Sequence, residues 1–154
     1  MGVLLVLRVR GDVGTRHAAE EALKRLNLRR RHNATLVPDT PEYRGMLMGV
    51  KDYVAWCPAG RDTVISLLRR RARTPGWRPL TEEVLRQHGF SSFEELADAI
   101  VEGRVRLSEL GWVKPYFALH PPRGGYRLSV KRNAREGGVL GFNEGLPDLV
   151  ARMI

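Results

Sequence analysis

Residues 3–10, VLLVLRVR, form a continuous apolar run that turns basic only at its end. Eight residues are too few for a stable isolated helix, and β-branched side chains recur through the run, so it reads as a strand buried on both faces at its start. Such a strand needs neighbours in a sheet and cover on the sheet's faces. RGDVGTR follows as a turn into a helix, with Thr15 as its expected cap, Ala19, Ala22, Leu23 and Leu26 on one face, and Asn27 at its end. LRRRHN leads to a second strand, ATLVP at 34–38, and a second helix leads to a third strand, YVAWC at 53–57. Two crossover helices returning to one sheet in under 60 residues predict an α+β, ferredoxin-like, two-layer β-α-β-α-β core with both helices on one face. The expected division is a core at 1–57 and a C-terminal extension at 58–154, with helices over about 62–102 and an extended segment and basic tail at 112–154.

In the extension, Asp62 is placed to cap a helix bearing Val64, Leu67 and Leu68, and Thr81 to cap a short one ending at Gly89. Ser92 and Glu95 have capping-box spacing before the stripe Phe93, Leu96, Ala97 and Ile100, which ends near Gly103. Proline and glycine cluster at PGWRP, 75–79, and at HPPRGG, 120–125, as turns. YFAL and YRLSV flank the second of these and are expected to pair as a hairpin, and LPDLVARMI to close the chain as a short helix.

The 26 Lys and Arg against 17 Asp and Glu give a formal net charge of +9, which makes a polyanion the first partner to consider. The charge is blocked: ten basic against six acidic residues in 1–57, six against one in 58–79, three against seven in 80–111, and seven against three in 112–154. This pattern predicts faces with different partners, the acidic block turned to solvent or a protein neighbour. No apolar run reaches the roughly 18 residues of a spanning helix, and arginines interrupt the N-terminal run, so a cytoplasmic protein without a membrane partner is expected. One cysteine, Cys57, excludes an internal disulfide, and four scattered histidines lack metal-ligand spacing.

The second helix carries an anomaly. Thr40, Pro41 and Glu42 signal its start, yet Gly45 and Gly49 lie inside it, each costing about 0.8–1 kcal/mol relative to alanine. With Tyr43, Met46, Leu47 and Val50 on the apolar face, the two glycines form a bare strip beside Arg44 and Lys51. A strip without Cβ atoms admits either a sugar-phosphate backbone or another packed helix or strand. Arg29, Arg30 and Arg31 follow one helix, and Arg69, Arg70, Arg71 and Arg73 end another, beyond what a helix dipole needs. Lys131, Arg132, Asn133 and Arg135 beside Gly137 and Gly138 read as a flexible basic segment that orders on RNA. Tyr53, Trp56, Trp77, Trp112 and Tyr126 are the aromatic rings available to stack on bases. Arg8, Arg10, Arg16, His32, His120 and Arg123 complete the residues expected to face RNA.

GDVGTRH with the helix after it, LVPDTPEYRGMLMGVKDYVAW, FSSFEELADAI, KPYFALHPPRGGY and GGVLGFNEG…LVARMI together resemble a known family across essentially the whole chain. It is the large-subunit ribosomal protein family conventionally numbered thirty in bacteria and archaea and seven in eukaryotes, in its long archaeal form. The most specific piece is P-x-x-R-G-M-L-x-x-V-K-D-Y-V, Pro41 to Val54. The resemblance implies an antiparallel sheet in the core, a C-terminal extension, binding to large-subunit (23S-type) rRNA near the 5S rRNA, neighbouring ribosomal proteins, and no catalytic activity, cofactor or small-molecule substrate. HPPRGGYRLSVKR and GFNEG depart from the family pattern in detail. Two other readings stay open on the residues alone. V-R-G-D-V-G-T-R could cradle a phosphate in an acylphosphatase-like enzyme, with Arg16 on the anion and Asn33 orienting water. The other is a free or ribosome-associated RNA-binding protein; the RGD tripeptide at Arg10–Asp12 bears on adhesion only in an extracellular protein.

Overall fold

Every residue of strand β1 (Val3–Arg8) is buried, and its alternate side chains enter two different cores. The computed structural model describes residues 2–11 and 14–154. Asp12, the last residue of the RGD tripeptide, and Val13, with which it forms the middle of the suspected phosphate cradle, lie outside the described residues. Strand β1 pairs antiparallel with β2 (Asn33–Pro38) and with β3 (Val54–Pro58), so that Leu5 faces Leu36 on one side and Cys57 on the other. Leu4, Val6, Val37, Val54 and Trp56 meet helices α1 (His17–Arg25) and α2 (Pro41–Gly49) through Ala19, Leu23 and Leu47. This is the expected ferredoxin-like core, with both crossover helices on one face.

The opposite face is covered by the extension. Leu5, Leu7, Ala34, Leu36, Ala55 and Cys57 pack with residues of α3 (Arg61–Arg70), α5 (Phe93–Val101) and α6 (Leu146–Ala151), including Val64, Leu68, Leu96, Ile100 and Val150. Burying a leucine from water contributes about 1.5–3 kcal/mol, so the C-terminal half supplies much of the core's cohesion. Burial pushes the Cys57 thiol up to about 11, which keeps it protonated and unreactive at neutral pH.

Helix ends follow the sequence in part. Thr40 caps α2 by accepting from the Tyr43 N–H, Thr81 caps α4 (Glu82–Gln87) from the Val84 N–H, and Ser92 caps α5 from the Glu95 N–H. Glu95 does not return the bond to Ser92; its carboxylate accepts from the backbone N–H of Ser91 at 2.8 Å and from the Ser91 hydroxyl. Asn27 ends α1 in the left-handed region at φ 61°, which its short amide side chain tolerates. Two expected caps are corrected. Arg16 occupies the N-cap of α1 while the Thr15 hydroxyl donates to the Gly11 carbonyl at 3.0 Å, and Gly60 caps α3, leaving Asp62 within the first turn, where it still complements the helix dipole.

The expected hairpin of YFAL with YRLSV does not form. Instead β6 (Phe117–Ala118) pairs antiparallel with β2, and β8 (Gly138–Phe142) pairs parallel with β3 while β7 (Ser129–Asn133) pairs with β8. The resulting sheet runs β6-β2-β1-β3-β8-β7. A three-stranded core leaves unpaired N–H and C=O groups along β2 and β3, and strands from the extension satisfy those edges, whereas a hairpin between themselves would leave them bare. PGWRP is a turn as expected, closing a small hairpin of β4 (Arg73–Thr74) and β5 (Arg78–Pro79). Among the described residues no helix is long and apolar enough to cross a membrane, and no group of side chains is arranged to hold a metal ion.

Candidate nucleic-acid interface

Helix α2 buries Leu47 and seats Tyr43 and Met46 against the core, which leaves Gly45 and Gly49 facing outwards. A Cβ added at either glycine would meet no atom within 4 Å. Among the described residues nothing packs on the strip, which argues against the intramolecular one of the two readings of the glycines. Beside it Arg44 forks onto Asp39, with Nη2 donating to Oδ2 at 2.8 Å and Nε to Oδ1. That hydrogen bond, before any other influence, holds the Asp39 carboxyl below the usual carboxylate range. The pair is exposed, so water and salt screen it and a phosphate can replace the carboxylate on the same fork. The sign of the pH effect follows: the pairing is present above the ordinary carboxylate pKa and is lost as pH falls through the lowered one. An NMR titration of the Asp39 side chain is expected to give a midpoint below 3.8, and Arg44→Gln to return it towards that value. A midpoint unmoved by the substitution would show that the fork does not persist in solution.

Lys51, just beyond α2, meets the basic segment of β7 and the turn after it. Lys51, Met48, Trp56, Lys131, Arg132, Asn133, Arg135 and Phe142 line one groove, with Asp52 and Glu136 as its acidic members. Four cations thus converge from parts of the chain about 80 residues apart, because β8 lies against β3 and carries the preceding segment with it. Met48 and Phe142, 56% and 42% exposed, add apolar surface that the sequence reading did not single out. The 131–135 segment is not free chain: Lys131–Asn133 belong to β7, and the Asn133 side chain accepts from the Arg135 N–H at 3.1 Å.

The other expected contacts sort by burial. Arg8 is 2% exposed, with Nε on the Arg10 carbonyl at 2.9 Å and Nη1 on the Leu28 carbonyl at 2.8 Å, so it shapes the surface from within. Tyr53 is buried with the Arg10 guanidinium over its ring at 5.8 Å, and Trp56 is likewise core; neither ring is open for stacking. Trp112 is occupied by a parallel stack on His88 at 4.4 Å. Arg16, Arg29, Arg30 and Arg31 are exposed, although Arg31 donates through Nε to the Val9 carbonyl at 3.0 Å. His32 stacks on Tyr126 at 5.9 Å, and burial first, then the Arg31 charge, lowers its pKa, so the imidazole is neutral at pH 7. His120 and Arg123 are exposed on the turn that Arg152 clamps, through Nη1 to the carbonyls of Arg123 and Gly125 at 2.9 and 2.6 Å.

The cluster ending α3 is divided among several tasks. Arg69 pairs with Glu94 of α5 at 2.6 Å and lies over Phe93, and Arg61 pairs with Asp98 at 2.6 Å. Arg73 donates to the carbonyls of Arg70 and Ala72, Arg71 is half-buried, and Arg70 remains exposed. The acidic block therefore turns partly onto its own basic neighbour, which corrects the expectation that it faces only solvent or another protein. Packing of α5 on α3 brings the two charge blocks together, a juxtaposition that the linear charge pattern does not contain.

Comparison with known proteins bears on the same surface. The sequence profile described as ribosomal protein L30p/L7e matches residues 4–54, from the second residue of β1 through β2 and both crossover helices to the first residue of β3. Proteins called large ribosomal subunit protein uL30 are similar over the full length: that of Thermofilum pendens is 42% identical with all of both chains covered, that of Cenarchaeum symbiosum 40% with 99% of each, and that of Nanoarchaeum equitans 40% with all of both. The family's members are ribosomal structural proteins rather than enzymes, which leaves the acylphosphatase-like alternative without support. With the antiparallel core, its two crossover helices and full-length relatives in agreement, the chain belongs to the ribosomal protein L30p/L7e family.

Proposed function

We propose that this chain is a structural constituent of the large ribosomal subunit, in the cytoplasm, and that it binds and organises large-subunit rRNA through phosphate-backbone contacts in the neighbourhood of the 5S rRNA. The observation that carries the RNA reading is the groove in which Lys51 meets Lys131, Arg132 and Arg135 beside an uncovered glycine strip. The full-length similarity to archaeal uL30 proteins supports the ribosomal setting, and the resemblance of Pro41–Val54 and the later segments supports the 5S neighbourhood. Lysines and arginines that neutralise phosphates release counterions condensed on the RNA, which supplies salt-dependent affinity, and the bare strip lets a sugar-phosphate backbone approach α2. Residues 1–57 act as the RNA-binding core, and 58–154 as the extension that covers the sheet and delivers the second half of the groove. Arg16, Arg29–Arg31, Arg44, Arg70, His120 and Arg123 add contacts around it, and neighbouring ribosomal proteins meet the remaining surface. The reading calls for no cofactor, metal, membrane or small-molecule substrate.

Sedimentation of a native cell extract tests it. The chain is expected to travel with the large subunit in equal stoichiometry at moderate salt and to stay there through a high-salt wash. Migration as a small free protein would overturn the proposal, and salt-labile partial association would reassign the chain to the ribosome-associated factors.

A further inference from the structure

The turn of the β4–β5 hairpin presents an aromatic ring in an unusual way. Pro75, Gly76 and Trp77 connect the two strands, and the Trp77 N–H closes the turn on the Thr74 carbonyl at 2.9 Å. Trp77 adopts φ 60°, the left-handed region that glycine or asparagine enters more cheaply, and leaves its indole 48% exposed. Two unfavourable features at one residue call for a compensating contact. Within the chain the indole meets Tyr116, with ring centroids 6.0 Å apart and planes tilted by 35°.

The two rings are walls of a cleft of about 420 Å³, whose other lining residues are Asn27, Arg29, Arg30, Asn33 and Ala118. No acidic side chain is among them. Both sides are held in place: the Arg8 guanidinium fixes the Leu28 carbonyl just before the two arginines, and the Lys114 N–H donates to the Arg73 carbonyl at 2.7 Å at the base of the hairpin. A planar apolar wall, two guanidiniums at the rim and two amides bearing donors and acceptors match a nucleobase with its flanking phosphates. The volume suits one such ring system.

We propose that this cleft receives one unpaired nucleotide of the large-subunit rRNA, its base stacked on the Trp77 indole, Arg29 and Arg30 on the adjoining phosphates, and Asn27 and Asn33 at the base edge. The inference rests on the rRNA-binding reading and adds to it a site for a single extruded base. A purely structural role for Trp77, as a lid on Tyr116, would need neither the arginines nor the half-exposed indole.

The test uses the full chain with protein-free large-subunit rRNA, measuring binding against salt and chemical protection of unpaired bases. Trp77→Ala is expected to weaken binding roughly 5- to 150-fold, the range for loss of one aromatic base stack, and Trp77→Phe much less. Wild type and Trp77→Phe are expected to protect one unpaired base that Trp77→Ala leaves reactive, while protection elsewhere persists. Arg29→Gln/Arg30→Gln is expected to expose the same base and to flatten the salt dependence by roughly 1.4 in the log–log slope. Melting curves of the variants separate folding from binding. Unchanged affinity and protection in Trp77→Ala would overturn the base site and leave the groove at Lys51 standing. Absence of salt-dependent binding by the wild type would instead overturn the rRNA reading itself.

Discussion

Replacing Lys51, Lys131, Arg132 and Arg135 by glutamine together is expected to lower affinity for protein-free large-subunit rRNA on the order of 100- to 1,000-fold at about 0.1 M salt, and to flatten the log–log salt dependence by roughly three. The four cations line one groove, so a phosphate backbone entering it meets all of them, and each neutralised phosphate releases close to one condensed counterion. Net charge alone could give a similar result. The comparison that isolates position is a second quadruple variant, with Arg61, Arg86, Arg104 and Arg106 changed to glutamine. Those four stand in ion pairs with Asp98, Glu82, Glu102 and Glu109, so the same four charges are removed from places where carboxylates already balance them. The second variant is expected to lose several-fold at most. Equal losses in the two variants would mean that the chain attracts RNA by its overall charge and that the groove is not the docking site.

What is legible in the sequence and what is not is a matter of range. Strands β1 to β3 and helices α1 and α2 announce themselves because each depends on a local signal: the unbroken apolar run of β1, the apolar face of α1 at Ala19 and Leu23, and Thr40 three residues before the amide it accepts from. Thr15 and Asp62 show the limit of that reasoning. Each is a good capping residue adjacent to a helix start, yet the backbone enters one residue later in the first case and two earlier in the second, where Arg16 and Gly60 supply the extended conformation without a side-chain bond. Beyond residue 58 the decisive interactions are long-range. Strand β6 has two residues and no period to read; it exists because β2, more than 80 residues earlier, offers an edge. The pairing of Arg69 with Glu94 depends in the same way on α5 lying against α3.

The site followed the same rule. Lys51 and the cations of 131–135 stand out separately as charge, and the glycines as a cost without a local return, but only the parallel pairing of β8 with β3 makes a single groove of them. In the sequence Trp77 is one ring among five, and its distinction from Tyr53, Trp56 and Trp112 is burial, which a lone aromatic in a sequence does not disclose. Met48 and Phe142 read as ordinary apolar residues of a helix and a strand until their exposure is seen.

If the extension is welded to the core, truncating Phe117 should cost the whole molecule. Phe117 is completely buried, lies in β6 and belongs to the core that also contains Leu5, Leu36 and Ile100. Its strand is held to β2 at Ala34, and beside it the Thr35 hydroxyl donates to the Pro115 carbonyl at 2.8 Å. Phe117→Ala is therefore expected to destabilise the chain by about 3–5 kcal/mol, and at roughly 2–4 °C per kcal/mol for a chain of this size the melting temperature should fall by about 6–20 °C. Phe142→Ala, on a strand at the other side of the sheet but substantially exposed, is expected to stay within about 1 kcal/mol. A single cooperative transition, shifted by the first change and barely moved by the second, would show that residues on either side of position 58 unfold as one unit. A Phe117→Ala chain that melted at the wild-type temperature would mean that β6 is a loosely laid edge. The outcome bears on the groove directly: its two halves come from the core and the extension, and cations held on one cooperative body present a fixed pattern to RNA without the ordering cost of a mobile tail.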